Sequence, residues 1–345
     1  MGARVGIVGI SGYYSFSFAE ALWTNHDVDF AAASTWPAEE KRGVRRRMMT
    51  PPEYASRFEV KMYDDPLKMI KTEGLDGVAL CGDTDDHKDM VDALASTGVH
   101  LFFHKPMCNT IEEADHILGA IRKHGNKSGA CNPARFDDAI IQAKALVDGG
   151  EIGDLLTVRS LLSHGGSLKS NLPPGITALQ GPWMHLGFYN ADNILSFMGW
   201  AEVASVFAHY AKLSPEDAQP EDCGKGLVKL KDGRIASMDL YCSSMWSGPL
   251  WEIEAIGTKG FIRTSQSVTQ GSLFTKDGVK AFQHDHQHGR RVHFGELGAW
   301  AKAVEAKVDC ELSGERAHRG IEICVAWKRS SDQGIPIAIP VERAR

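Results

Sequence analysis

Between Val5 and about Cys131, short apolar runs alternate with stretches of helical character: Val5 to Val8, Val28 to Ala33, Phe58 to Met62, Gly77 to Cys81, Val99 to Phe103 and Gly129 to Cys131. A strand covered on both faces reads as a continuous apolar run, and a helix must carry the chain back to the start of its parallel neighbour. The rhythm therefore predicts an α/β Rossmann-type domain over residues 1–131, built on a doubly wound parallel sheet. A helix is expected next over Asp137 to Val147, with Phe136, Ile140, Ala143 and Val147 on one face and Gly149-Gly150 ending it.

Beyond Gly153 the period shortens to two in several segments: Leu155 to Leu162, Gly226 to Leu230, Ile235 to Tyr241, Leu250 to Ile256 and Gly260 to Thr264. Turns at Asp232-Gly233 and Gly257-Thr258-Lys259-Gly260 separate them. This predicts an α+β domain over residues 132–345 with a large, mostly antiparallel sheet. Helices are expected over Trp183 to Met198, Glu296 to Lys307 and Glu315 to Arg329, before a last short strand. The sheet domain is expected to bind substrate and to form a homo-oligomer face, in a dimer or tetramer.

Composition narrows the function classes. At 345 residues, 43% hydrophobic and 24% charged, the chain can bury two ordinary cores. The net charge of -6 and one local basic run, Lys41 to Arg47, leave no stripe matching a nucleic-acid backbone, so no nucleic-acid partner is expected. The seven cysteines include no Cys-x-x-Cys pair, which fits a reducing cytoplasm. The first strand begins at Arg4 and no apolar run approaches ~18 residues, so neither a leader nor a membrane role is expected.

Candidate chemistry sits at strand ends. After the first strand, Gly9-Ile10-Ser11-Gly12-Tyr13-Tyr14-Ser15 opens a helix. Gly9, Ser11, Gly12 and Tyr13 are candidates for cradling a pyrophosphate, although Ser11 or an inserted residue interrupts the Gly-x-Gly-x-x-Gly spacing. The second strand ends in Ser34-Thr35 with no carboxylate, and Lys41, Arg42 and Arg45 follow. Hydroxyls and cations suit a 2'-phosphate, which places NADP ahead of NAD. Asp83 and Thr84, after the fourth strand, are expected beneath the nicotinamide half. Lys105 closes the run Val99 to Phe103, and Pro106 stops the ladder behind it.

These segments resemble the glucose-fructose oxidoreductase and inositol dehydrogenase family (Gfo/Idh/MocA) over nearly the whole chain. The resemblance is carried by His87 at a helix start, Gly98-Val99-His100-Leu101-Phe102-Phe103-His104-Lys105-Pro106, and Thr110-Ile111-Glu112-Glu113-Ala114. Asn132, Arg135-Phe136-Asp137, Gly150 to Leu155, Gly257 to Gly260 and Ser313-Gly314-Glu315 extend it. The resemblance implies a cofactor beside His87, His104, Lys105 and Asn132. It also implies a catalytic Asp-x-x-x-His on a helix of the second domain, where this chain has His185 and Tyr189. Those two residues, and His104 in place of a glutamate, depart from the family pattern.

Removing a hydride from a carbinol carbon requires a group to take the hydroxyl proton and a charge to stabilise the developing alkoxide. Tyr189 is the expected acid/base, Lys105 its electrostatic partner, and His185 a donor or shuttle; a second assignment gives proton transfer to Lys105 itself. Arg135, Arg159, His164, Trp183 and His185 are candidates for a polyhydroxylated substrate. The His284-Asp285-His286-Gln287-His288 stretch reads as a substrate-facing or surface loop, and no metal site is expected. The expected function is an NAD(P)-dependent oxidoreductase acting on a sugar, sugar derivative or cyclitol. The alternatives are a redox-neutral glycoside-cleaving enzyme and a non-catalytic dinucleotide-binding sensor.

Overall fold

The computed structural model describes residues 2–41, 49–164, 181–213, 221–242, 249–285 and 290–343. Strands β1 (Arg4–Val8), β2 (Asp29–Ser34), β3 (Lys61–Tyr63), β4 (Gly77–Leu80), β5 (His100–Phe103) and β6 (Ser128–Ala130) form one parallel sheet in the order β3-β2-β1-β4-β5-β6. The winding reverses between β1 and β4, and open α/β sheets bind ligands outside the carboxyl ends of strands at such a switch point. The crossovers contain α1 (Tyr13–Trp23), α2 (Pro37–Lys41), α3 (Pro51–Phe58), α4 (Pro66–Glu73), α5 (His87–Leu94) and α6 (Ile111–His124). All six expected runs meet a strand, five of them close to where periodicity put them. The run from Phe58 is displaced to Lys61–Tyr63, because Thr50 and Glu53 form a capping box that starts α3 and carries the helix through Phe58. Glu59, in the left-handed region, then turns the chain toward β3.

The second sheet has nine strands: β7 (Leu155–His164), β8 (Val203–Ala211), β9 (Cys223–Leu230), β10 (Ile235–Tyr241), β11 (Pro249–Gly257), β12 (Gly260–Ser265), β13 (Gln270–Thr275), β14 (Gly278–Gln283) and β15 (Ile337–Ala338). Their order is β14-β13-β12-β11-β7-β10-β9-β8-β15, antiparallel throughout except for the central β7 and β10 pair. Periodicity missed β8, β13 and β14. The remaining helices are α7 (Asp138–Asp148), α8 (Gly181–His185), α9 (Gly187–Phe197), α10 (Arg290–Ala306) and α11 (Gly314–Gln333). Helix α9 packs on β7 and β10, and α7 packs on β11, β12 and β13. Among the described residues, no helix is long and apolar enough to cross a membrane.

The chain forms two compact units, Met1–Pro133 with His288–His318, and Ala134–Gln287 with Arg319–Arg345. Neither unit is one continuous segment. Helix α10 packs with α1 in the first unit, and its Trp300 is fully buried with its ring 5.3 Å from that of Phe102. Gly77 makes room for that indole, since a Cβ there would lie 2.7 Å from Trp300 Cζ2. Truncating a buried tryptophan typically costs about 3–5 kcal/mol, enough to assign α10 energetically to the first unit. No periodicity in the chain reveals such a return.

Candidate active site

The turn after β1 is built on Gly9, whose φ of 88° suits glycine and whose Cβ, if present, would lie 2.5 Å from the Gly82 amide nitrogen. The β1 and β4 ends therefore close against each other only because this residue has no side chain. The following amides point at a carboxylate: Ile10 N donates to Glu39 Oε2 at 3.2 Å, and Ser11 N and Oγ donate to Oε1 at 3.2 and 2.7 Å. Trp36 N adds a fourth donor at 3.3 Å. Glu39 thus occupies the Ile10 and Ser11 amides that the sequence assigned to a pyrophosphate, so here the turn is closed on an internal carboxylate.

Glu39 is a candidate functional residue that the sequence reading missed. The end of β2 lacks an acid, as expected, but α2 returns one to the turn from the next helix. The signal was present in Trp36-Pro37-Ala38-Glu39, a proline at the first helical position with a glutamate placed to reach back to the preceding amide. Ser34 and Thr35 do not present hydroxyls as expected. Both are buried, and Ser34 Oγ, at 0% residue exposure, has no hydrogen-bond partner among the described residues. Arg42 and the rest of the basic run, apart from the backbone of Lys41, lie outside the described residues, as does the Tyr13 side chain.

Past β4, Asp83 precedes a single 3-10 turn over Thr84–Asp86, and both Thr84 and Asp86 are buried. His87 is fully enclosed, with Nδ1 2.8 Å from the Met107 carbonyl. Its ring lies 4.4 Å from that of His104, which stacks on Tyr14 at 4.9 Å. His104 also faces the Gly82 and Lys105 carbonyls through its two ring nitrogens. His87 is therefore held in place from several sides by backbone and ring contacts.

Burial pushes the pKa of His87 well below the ordinary histidine value, with His104 adding to the effect, and burial likewise lowers that of His104. Both are neutral in the fold and take up protons when the chain unfolds. The stability they contribute is present above about pH 6.5 and is lost as pH falls toward their depressed folded values. Calorimetric melting temperature should therefore fall through this interval with net proton uptake on unfolding; a constant or rising Tm would contradict the assignment.

Lys105 follows β5 at its carboxyl end and is 2% exposed. It precedes a cis bond to Pro106. Its backbone N–H donates toward the Cys131 sulfur, and Cys131 N in turn donates to the Phe103 carbonyl at 2.8 Å. Asn132, next in the chain, is buried.

In the second unit, His185 and Tyr189 do not share one continuous helix. Helix α8 ends at His185, Leu186 breaks the run with φ −110° and ψ −34°, and α9 begins at Gly187. The four-residue spacing therefore does not by itself fix a common face. Tyr189 is 6% exposed, with its ring 5.8 Å from that of Trp251. Trp183 and His185 are half-buried.

Arg135 lies near α9, where its Nε is 3.7 Å from Asp192 Oδ1 and its guanidinium is 5.7 Å from the Trp200 ring. Arg159 is on the other face of the sheet. The neighbouring Ser160 points to α9, donating to Asn190 Oδ1 at 2.7 Å, while Arg159 Nε donates to Asp239 Oδ2 at 2.6 Å and pairs with Glu252 and Glu254. Alternation along β7 thus separates Arg159 from the α9 side. The His164 side chain, His286 and His288 lie outside the described residues. His284 is buried, with Nε2 3.1 Å from Thr264 Oγ1, and is not part of an exposed loop.

A parallel sheet wound 3-2-1-4-5-6, with an anion-holding turn at its switch point and a lysine at the end of its fifth strand, defines a dinucleotide-binding α/β oxidoreductase. The family comparison agrees. Residues 3–130 match the oxidoreductase family with an NAD-binding Rossmann fold, and residues 140–263 match the GFO/IDH/MocA C-terminal domain. The chain belongs to the GFO/IDH/MocA family.

It is 26% identical to the scyllo-inositol 2-dehydrogenase (NAD(+)) of Bacillus subtilis over 301 residues, covering 82% of this chain and 83% of that protein. It is 23% identical to the myo-inositol 2-dehydrogenase of Thermotoga maritima, covering 96% of each. Its fold matches scyllo-inositol dehydrogenase from Lactobacillus casei, solved with NAD(H) and scyllo-inositol, at a TM-score of 0.76 and 21% identity, covering 98% of this chain and 99% of that one.

Proposed function

We propose that this protein is an NAD-dependent dehydrogenase that oxidises a carbinol carbon of a cyclitol or related polyol to a ketone. The observation that carries the reading is Lys105, enclosed at the carboxyl end of β5 in a unit whose glycine turn already holds an anion. The names of the inositol-oxidising relatives support the substrate class. Bound at the carboxyl ends of β1 and β4, beside Gly9 and Glu39, NAD would supply the hydride acceptor. We assign Lys105 the stabilisation of negative charge on the developing alkoxide, and Tyr189 and His185 the acceptance of the hydroxyl proton and its passage to water. The ring carbon loses a hydride and its hydroxyl loses a proton, so each turnover gives one ketone, one reduced cofactor and one proton.

Glu39 supports NAD over NADP, reversing the preference drawn from the strand end. Its carboxylate accepts four donors at this turn, about the full capacity of two oxygens. Rotation of the Ser11 hydroxyl frees one position for a ribose hydroxyl. A 2'-phosphate beside the same charge would be repelled. We further propose that the face of the second sheet carrying Arg159, with exposed Phe207, Leu227 and Ile235, is the homo-oligomer interface.

The test is nicotinamide absorbance with NAD+ across a panel of inositols and sugars. Net reduction with an inositol is the expected result. Product without net reduction would identify redox-neutral chemistry, and tight NAD binding with no turnover would identify a sensor.

A further inference from the structure

In the first unit, three side chains from distant parts of the chain converge behind Lys105. Cys131 follows β6, while His293 and Glu296 are three residues apart near the start of α10. One donor atom from each lies within 4.8 Å of the other two, and all three residues are buried. His293 Nδ1 is 2.6 Å from Glu296 Oε1. Glu296 is 0% exposed, and its carboxylate is approached by both the His293 ring and the Cys131 thiol, so the three donor groups share one dry pocket. A fully buried carboxylate is costly unless its charge is compensated, and a cation held by all three groups would compensate it.

We infer that Cys131, His293 and Glu296 form a zinc site. The donor set selects the metal: a thiolate, an imidazole and a carboxylate suit Zn2+, whereas Mg2+ and Ca2+ take oxygen ligands. Charge balances as well, because one thiolate and one carboxylate neutralise a divalent ion. On binding, the Cys131 thiol releases its proton to buffer. His293 presents the Nδ1 lone pair with its remaining proton on Nε2, and no electron changes hands. Three protein ligands leave the fourth tetrahedral position for water.

The site would tie the end of β6 to the start of α10. Through the Lys105 N–H directed at the Cys131 sulfur, it would also hold the backbone that carries Lys105. Its role is therefore positional, and the reaction proposed above needs no metal.

The experiment uses the full chain, purified without chelator, with zinc measured by elemental mass spectrometry. Close to one zinc per chain is expected, together with a lower Tm after a chelator removes it. Replacement by Co2+ should give a thiolate-to-cobalt charge-transfer band, lost in Cys131→Ser and diminished in Glu296→Gln. A chain that is metal-free as purified and gives no such band with Co2+ overturns the inference, and so does a band that survives Cys131→Ser. Should the variants fail to fold, zinc content and the cobalt spectrum of the unaltered protein still decide. These readouts do not depend on turnover, so failure of the metal site and failure of the dehydrogenase assignment are distinguishable.

Discussion

Lys105→Ala should lower kcat/KM for polyol oxidation by roughly 10²–10⁴-fold, the usual range for losing a group that manages the reacting proton. NAD+ affinity should change far less, because the lysine's proposed work is in the transition state. Tyr189→Phe should give a loss of similar size, since it deletes only the hydroxyl that receives the proton. If the two residues act as one unit, the double variant should be little worse than either single one. Steady-state kinetics on the four proteins, with NAD+ binding measured separately, supply the comparison. A Tyr189→Phe enzyme of ordinary rate beside an inactive Lys105→Ala would give proton transfer to the lysine. A Lys105→Ala enzyme of ordinary rate would end the mechanism.

Glu39→Gln should raise the ratio of kcat/KM with NADP+ to that with NAD+ by about tenfold to a hundredfold, equivalent to roughly 1.4–2.7 kcal/mol. The substitution keeps side-chain size and removes the charge placed against Ile10 and Ser11. A carboxamide in place of the carboxylate would also accept fewer of the turn's amide donors, so some stability should be lost. Taking a ratio within one protein cancels that loss. An unchanged ratio, or one moved further toward NAD+, would remove Glu39 from cofactor selection.

The parallel sheet was legible because strands buried on both faces leave unbroken apolar runs, and β1, β4 and β5 lie almost where those runs lie. Lys105 was legible for the same reason: it interrupts such a run at the end where ligands bind. Glu39 was hidden by an assumption, that the acid of a dinucleotide site stands at the end of β2. The fold brings it from the first turn of α2, where sequence order gives no hint of the distance to Gly9. Helix α10 was hidden differently. Its apolar face predicts a buried helix but not which sheet buries it, and only the space above Gly77 identifies the partner of Trp300.

His185 and Tyr189 show the limit of spacing rules. An interval of four residues implies one face only if the helix is unbroken, and Leu186 breaks it. Arg159 shows the reverse. Strand alternation, readable in the sequence, already separates it from Ser160, whose partner Asn190 belongs to α9.

The most direct test of hydride transfer from a polyol carbon to NAD+ is isotopic. Inositol deuterated at its ring carbons, incubated with the protein and NAD+, should yield reduced cofactor carrying deuterium at nicotinamide C4, with one unlabelled proton released to solvent. Turnover that leaves the reduced cofactor unlabelled, or product formed with all the deuterium retained and no cofactor reduced, would contradict the account.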